Sequence, residues 1–271
     1  MRALKHCQPS FTFLAIAAVL LALTSGLRAQ QNQTSLRVAA AADLQFALKD
    51  IANQHEHQTG HKVEITFGSS GNFFSQIQNG APFDVFFSAD TEYPARLQQS
   101  NLTEPNSLLK YAVGRIAVWM PAESKIDLAR QKWNALLDPS VQKIAIANPE
   151  HAPYGRAAVE ALKRAGIYDR VQPKLVYGEN ISQAAQFVQS GNAQAGIIAL
   201  SLALSLAMKT GQRWGIPVDQ YAPIEQVAVI LKTARDKEAA RAFLAFVSSD
   251  AGQRTLASYG FAIPSDATPP K

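Results

Sequence analysis

The sequence predicts an α/β protein of two discontinuous lobes joined by two crossing strands, with a cleft between them. Three observations carry this reading. Short apolar strands alternate with amphipathic helical patterns in both halves of the chain, as in βα units that feed a mostly parallel sheet. Two longer β-rich runs, residues 108–120 and 221–231, interrupt the alternation, so the chain leaves one sheet and later returns to it. Each strand-to-helix junction is made of small or polar residues, which is where open α/β sheets seat ligands. These boundaries place lobe I at residues 36–112 and 227–265 and lobe II at residues 113–226.

Residues 1–29 stand apart. Arg2 and Lys5 precede an apolar run over residues 11–23, and Leu27-Arg28-Ala29 follows. This is the pattern of a secretory signal peptide cut after Ala29, and the run is too short to favour a spanning helix. Cys7, the single cysteine, lies inside this segment and far upstream of the cut. The exported chain is therefore expected to be soluble, with no disulfide and no lipid anchor, and to stand on its core alone. A chain of 271 residues that is 47% hydrophobic and 17% charged is neither disordered nor polytopic. Taking Arg2, Lys5 and Arg28 from the 26 basic residues leaves 23 against 21 acidic ones, a formal charge of +2 instead of +5. No basic block points to nucleic acid.

Lobe I opens with the buried strand Leu36-Arg37-Val38-Ala39-Ala40. It turns through Ala41-Ala42-Asp43 into a helix with Leu44, Ala47, Leu48, Ile51 and Ala52 on its apolar face. Gly60 closes that helix. Val63-Glu64-Ile65-Thr66-Phe67 alternates like a strand and passes through Gly68-Ser69-Ser70-Gly71 into a helix carrying Phe73, Phe74 and Ile77. Asp84-Val85-Phe86-Phe87-Ser88 reads as a third strand, continuously apolar as parallel strands covered on both faces are. In lobe II, Lys143-Ile144-Ala145-Ile146-Ala147 leads through residues 148–155 into a helix with Ala158, Val159, Leu162 and Ala165. Lys174-Leu175-Val176-Tyr177 precedes Gly178-Glu179-Asn180 and a helix over residues 181–189. A strand at residues 195–199 runs into a helical segment at residues 200–208. After the return strand, helices at residues 237–248 and 251–259 complete lobe I.

Four junctions can face one cleft: Asp43, Ser69 with Ser70, Tyr154 with Gly155, and Asn180 with Ile181. The first turn of a helix leaves up to four N–H groups without partners, and small residues let a ligand approach them. Each helix dipole favours a nearby anion by about 0.3–1 kcal/mol. Several together hold an oxyanion without Lys or Arg, and the junctions contain neither. Either serine can instead cap its own helix. A P-loop is excluded, since Gly-x-x-x-x-Gly-Lys does not occur at these junctions.

Ala39-Ala40-Ala41-Ala42-Asp43-Leu44, Phe67-Gly68-Ser69-Ser70-Gly71, the run Asn79-Gly80-Ala81-Pro82-Phe83-Asp84-Val85-Phe86-Phe87-Ser88-Ala89-Asp90, Asn148-Pro149-Glu150-His151-Ala152-Pro153-Tyr154-Gly155 and Tyr259-Gly260-Phe261 resemble the molybdate-binding periplasmic receptors of ABC uptake systems. The similarity covers nearly all of the mature chain in the same order. It implies a type II periplasmic-binding-protein fold that closes on molybdate or tungstate and docks on an inner-membrane permease. It further implies a non-catalytic periplasmic monomer with no cofactor beyond that ligand. Carried over by position, the ligand-binding residues are Asp43, Ser70, Tyr154 and Ile181, with Ala42, Ser69 and Ala199 as weaker candidates. Two positions depart from the family. Asp43 stands where Ser, Thr or Asn is usual, and a tyrosine hydroxyl found in part of the family falls on Ala199. Tyr154, bulkier than the alanine often found there, is expected to offset that loss.

Asp43 is the informative departure. A carboxylate about 4 Å from another negative charge is repelled by roughly 1 kcal/mol in water and about 4 kcal/mol at an effective dielectric of about 20. Three arrangements relieve this: the side chain caps the N–H groups of Gln45 or Phe46, or it is protonated, or it accepts a proton-bearing ligand oxygen such as that of hydrogen phosphate. Other readings use the same residues. Tyr154, Asp43 and Glu150 make a ferric-type cation site. His151 with Ser70 makes a hydrolase pair, although the Gly-x-Ser-x-Gly elbow is missing. His55, His57 and His61 suggest a metal, but the i, i+2 spacing separates His55 from His57, and a solvated helix end is the simpler account. Phe73, Phe74, Phe86 and Phe87 read as core, and Trp119, Trp133 and Trp214 have no assignable role.

Overall fold

The computed structural model describes residues 35–264; the expected signal peptide and the last residue of lobe I lie outside them. Two five-stranded mixed sheets carry the fold. Strand β1 (Leu36–Ala41) pairs in parallel with β2 (Val63–Gly68) and β3 (Val85–Ser88). The first sheet is completed by β4 (Leu109–Gly114), whereas β5 (Ile116–Met120) belongs to the second. The β-rich run at residues 108–120 is thus two strands in two sheets, with Arg115 between them. In the second sheet β6 (Ile144–Ala147) lies between β7 (Leu175–Gly178) and β8 (Ala195–Ala199), all parallel, and β5 runs antiparallel to β8 and to β9 (Gln212–Gly215). Sequence reading misses β9, the four residues Gln-Arg-Trp-Gly, none of them buried and too few to form an apolar run. The return strand β10 (Ile224–Ile230) inserts antiparallel between β3 and β4, giving the order β2-β1-β3-β10-β4 beside β7-β6-β8-β5-β9.

Burial explains the apolar strands. In β1, Val38 and Ala40 pack into one core cluster while Ala39, pointing the other way, packs with Phe73, Phe74 and Phe86 on the opposite face. Phe87 meets Tyr111 and Phe243 edge to face, with centroids 5.2 and 6.0 Å apart. Strand β10 spans both lobes: Ile224 joins the core of the second, Ala228 and Ile230 that of the first. Its ladder to β4 slips between Gln226 and Val227, a bulge that re-aims Gln226.

The helices start and stop where local chemistry dictates. Helix α1 (Ala47–Thr59) ends on Gly60, whose φ of 75° suits a residue without Cβ. Helix α2 (Ser70–Gln78) is capped by Ser69, α3 (Glu92–Gln99) covers β3, and α4 (Pro153–Arg164) opens with proline in its first turn. Helix α5 (Ile181–Gln189) is capped by Asn180, whose Oδ1 accepts the Ser182 and Gln183 N–H groups at 3.0 Å. Helices α6 (Lys237–Ser248) and α7 (Asp250–Ser258) pack back on lobe I. Of the helical segment expected at residues 200–208 only Leu200–Ala203 is helical, and the rest breaks into turns. Among the described residues no helix is long and apolar enough to cross a membrane.

Candidate functional site

The first junction differs from its expected form. Ala42–Leu44 is a single 3-10 turn, and α1 begins only at Ala47. The Asp43 side chain does not cap Gln45 or Phe46. Instead its Oδ2 accepts the hydroxyl of Tyr154 from the other lobe and Nε2 of Gln226 from β10, both at 2.9 Å. Those two donors hold it away from the helix start, so no cap forms there.

At the second junction Ser69 and Ser70 divide the work. Ser69 Oγ caps α2 by accepting the Asn72 N–H at 3.4 Å, and it also lies 3.0 Å from His151 Nδ1. Ser70 is fully buried, and its Oγ accepts the Ala89 N–H at 3.0 Å. An oxygen that already accepts keeps its proton for another acceptor. Tyr154 and Ile181 occupy the first turns of α4 and α5, where backbone N–H groups have no intrahelical acceptor.

These junctions surround one cavity. It encloses about 200 Å³ of empty space, part of it open to solvent. Ala41, Ala42 and Asp43 line it from the end of β1, Gly68, Ser69 and Ser70 from the junction of β2 with α2, and Ala89 from the end of β3. Ala152, Pro153 and Tyr154 approach from α4, and Asn180 and Ile181 from α5. Six of the seven candidates are brought together. Ala199 is the exception: it is buried at the end of β8 and does not line the cavity. No lysine or arginine is among the lining residues.

The lobes meet around the cavity. The Gly71 N–H donates to the His151 carbonyl at 2.9 Å. A Cβ at Gly71 would fall 2.8 Å from His151 Cβ, so only glycine permits that approach. Asn72 bonds Glu179, Ser182 bonds Gln45, Arg156 pairs with Asp90, and Ser201 Oγ donates to the Asp43 carbonyl at 2.7 Å. Glycine at position 114 leaves room for the Asp43 cluster, because a Cβ there would fall onto the Tyr154 hydroxyl.

Burial pushes Asp43 up to about 7, with hydrogen bonds from Tyr154 and Gln226 pulling partly against it. Burial, with Asp43 adding to it, also holds the Tyr111 and Tyr154 hydroxyls well above the ordinary phenol range. Tyr154 has given its hydroxyl to Asp43, so it cannot offset the missing tyrosine at position 199 through that group. Sequence reasoning missed Gln226, Tyr111 and Ala89. Tyr111 donates to Gln226 Oε1 at 3.0 Å and so orients the amide that meets Asp43. Only Gln226 left a signal, as an isolated amide in an apolar strand.

The competing readings lose their geometry here. His151 faces Ser69, not Ser70, so the hydrolase pair is not formed. Glu150 is exposed and does not line the cavity, and Tyr154 and Asp43 are bonded to each other. His55 is not at a solvated helix end: it is 1% exposed and sits edge-on to Phe243 and Phe246. No group of three or more metal-ligating side chains forms among the described residues. Phe73, Phe74, Phe86 and Phe87 are core, as expected. Trp119 Nε1 donates to the Met208 carbonyl and Trp133 packs edge-on to Trp214, so these three are structural.

Comparison with known proteins agrees with this arrangement. Residues 36–262 match the family described as bacterial extracellular solute-binding protein. The molybdate-binding protein ModA of Azotobacter vinelandii is 39% identical over 251 residues, covering 92% of this chain and 98% of the relative. That of Rhodobacter capsulatus is 37% identical over 248 residues, covering 92% and 96%. The solved periplasmic molybdate-binding protein of Azotobacter vinelandii superposes with a TM-score of 0.80 at 34% identity, covering 85% of this chain and all of that one. With two lobes, two mixed sheets of matching order and a cavity at their shared strand-to-helix junctions, this chain belongs to the bacterial extracellular solute-binding proteins, in the family of the molybdate-binding proteins.

Proposed function

We propose that the chain is a periplasmic receptor that captures molybdate or tungstate between its lobes and delivers it to an ABC permease. The observation that carries this reading is the cavity lined by the first turns of α2, α4 and α5, with the Ser70 hydroxyl poised to donate and no basic side chain. Converging neutral donors suit a tetrahedral dianion, because they bind through backbone dipoles that need no counter-charge. The names of the relatives support the same ligand. Ligand-binding roles fall to Ser70, Tyr154 and Ile181, the latter two through backbone N–H groups, with Asp43 at the edge. Ala42 and Ser69 shape the wall. The binding-protein relatives and the unformed Ser70–His151 pair support a non-catalytic role.

Isothermal titration with molybdate, tungstate, sulfate and phosphate is the test. One-to-one binding of the first two with sulfate and phosphate silent supports the reading, and silence from molybdate and tungstate removes it. Asp43 favours a second reading. Its Oδ1 has no partner, and as an acceptor it would select a protonated anion such as hydrogen phosphate. Phosphate binding in the same titration would establish that alternative.

A further inference from the structure

Asp43 places a carboxyl at the wall of an anion site; Tyr154, Gln226 and the Asp43 and Leu44 backbone N–H groups lend it hydrogen-bond stabilisation, but no cation stands beside it. The residue is 1% exposed; Oδ2 accepts two hydrogen bonds and Oδ1 is buried without a partner among the described residues. The groups facing it are Tyr154 from α4, Gln226 from β10, Tyr111 from β4 behind Gln226, and Ser201 from the short helix Leu200–Ala203 after β8, with Tyr221 beyond Tyr154. All are neutral. An ionised carboxylate here is desolvated without a cation, and a dianion in the same cavity adds repulsion.

We propose that this chain takes up its oxyanion together with one proton, which resides on Asp43 Oδ1 and turns that carboxyl from an acceptor into a hydrogen-bond donor at the site. The inference rests on the receptor reading above. The balance is simple: carboxylate, dianion and a solvent proton become carboxylic acid and bound dianion, with one O–H bond formed and none broken in the anion. The carboxyl, already pushed up to about 7 by burial, is poised to exchange its proton near neutrality. Tyr111 and Tyr154, held far above that range, cannot supply it. The unpaired Oδ1 then acquires a function, since protonation makes it a side-chain donor at this junction. His151 and Glu179 are the other titratable groups at the rim. His151 Nδ1 faces Ser69 Oγ and its Nε2 lies 3.8 Å from Glu179, so both are engaged with groups other than Asp43.

The test is calorimetric titration of the purified protein with molybdate and with tungstate from pH 6 to 9, in paired buffers of different ionisation heat. The free anions stay doubly charged over this range, so any proton taken up belongs to the protein. Uptake should approach one proton per anion at pH 8 and vanish at pH 6, with Kd rising about tenfold per pH unit above 7 as single-proton linkage requires. Asp43→Asn, a neutral isostere with an N–H donor, should bind with a level Kd and no uptake, while His151→Gln should keep the wild-type slope. Absence of proton uptake by the wild type at pH 8, or an unchanged slope in Asp43→Asn, overturns the inference. Loss of the slope in His151→Gln with its retention in Asp43→Asn does so too. Should Asp43→Asn fail to fold, as judged by circular dichroism, the wild-type proton count decides alone. Tight binding with a flat pH profile sinks only the proton coupling. No binding of either anion by any form sinks the receptor reading and this inference with it.

Discussion

Replacing Ser70 by alanine separates what its hydroxyl does for the fold from what it does for the ligand. The Oγ accepts the Ala89 N–H within lobe I, at 3.0 Å in a fully buried setting. Removing it orphans that N–H, which costs about 1–3 kcal/mol of stability. Because Ser70 and Ala89 sit on the same lobe, that cost is present with and without ligand and cancels from the affinity. What remains is the bond that the hydroxyl proton makes to the anion, worth about 1.5–3 kcal/mol for a charged acceptor. At about 1.4 kcal/mol per factor of ten, Kd for molybdate should rise roughly 10- to 150-fold. Calorimetric titration reads this change, and thermal denaturation of the unliganded protein reads the stability loss separately. A variant that loses stability yet binds molybdate within a factor of two of wild type would show that Ser70 only braces Ala89. Ser69→Ala is the companion measurement. It removes the α2 cap at about 1 kcal/mol of stability, with a smaller change in Kd because its oxygen is already engaged by Asn72 and His151.

Other expectations follow from single contacts. Arg156→Ala removes the pair that Arg156, 37% exposed, makes across the lobes with Asp90, 15% exposed. With solvent screening discounted, about 1 kcal/mol is lost from the closed form, so the molybdate off-rate by stopped-flow fluorescence should rise about fivefold, and an unchanged off-rate would remove this latch. Gly114→Ala should destabilise the protein by about 1–3 kcal/mol through overpacking against Tyr154 and Gln226, and a thermal midpoint equal to wild type would mean that the Asp43 cluster has slack. Burial, helped by His61 and opposed by Glu56, lowers the His55 imidazole below its ordinary 6.5. The unfolded chain therefore takes up the proton first as pH falls, and stability should decline from about pH 6.5 downward until the folded state also protonates. Urea unfolding at pH 7.5 and 5 should show a smaller pH-dependent loss for His55→Leu than for wild type, and equal losses would place the titration elsewhere.

Much of the fold was legible because the signals are local. Strands β1, β3, β6 and β8 announce themselves by apolar runs and β2 by alternation, and the glycine and serine punctuation between them marks where helices begin. Gly60, Ser69 and Asn180 act at their own helix ends, so their roles need no knowledge of distant chain. The Ser70, Tyr154 and Ile181 junctions could be listed from order alone, since strand-to-helix turns of parallel units face one side of a sheet. The 3-10 turn at Asp43 could not, because what prevents the cap is a tyrosine 111 residues and an amide 183 residues away.

By itself, then, the amino-acid order determined the two-lobe α/β plan, the family and an anion site built from small and polar residues without lysine or arginine, because strand alternation, helix starts and turn chemistry are short-range physics. Tertiary structure alone decided which hydroxyl remains free and which is consumed. Ser70 keeps its proton because Ala89 occupies its lone pair, Tyr154 surrenders its own to Asp43, and His151 meets Ser69 in place of Ser70. It also buried His55 against Phe243 and Phe246 and aimed Gln226 through a bulge. Each outcome depends on groups brought together from separate elements of the fold, some within one lobe and some across the cleft, where burial raises the stake of every unpaired polar atom and no short sequence window contains both partners.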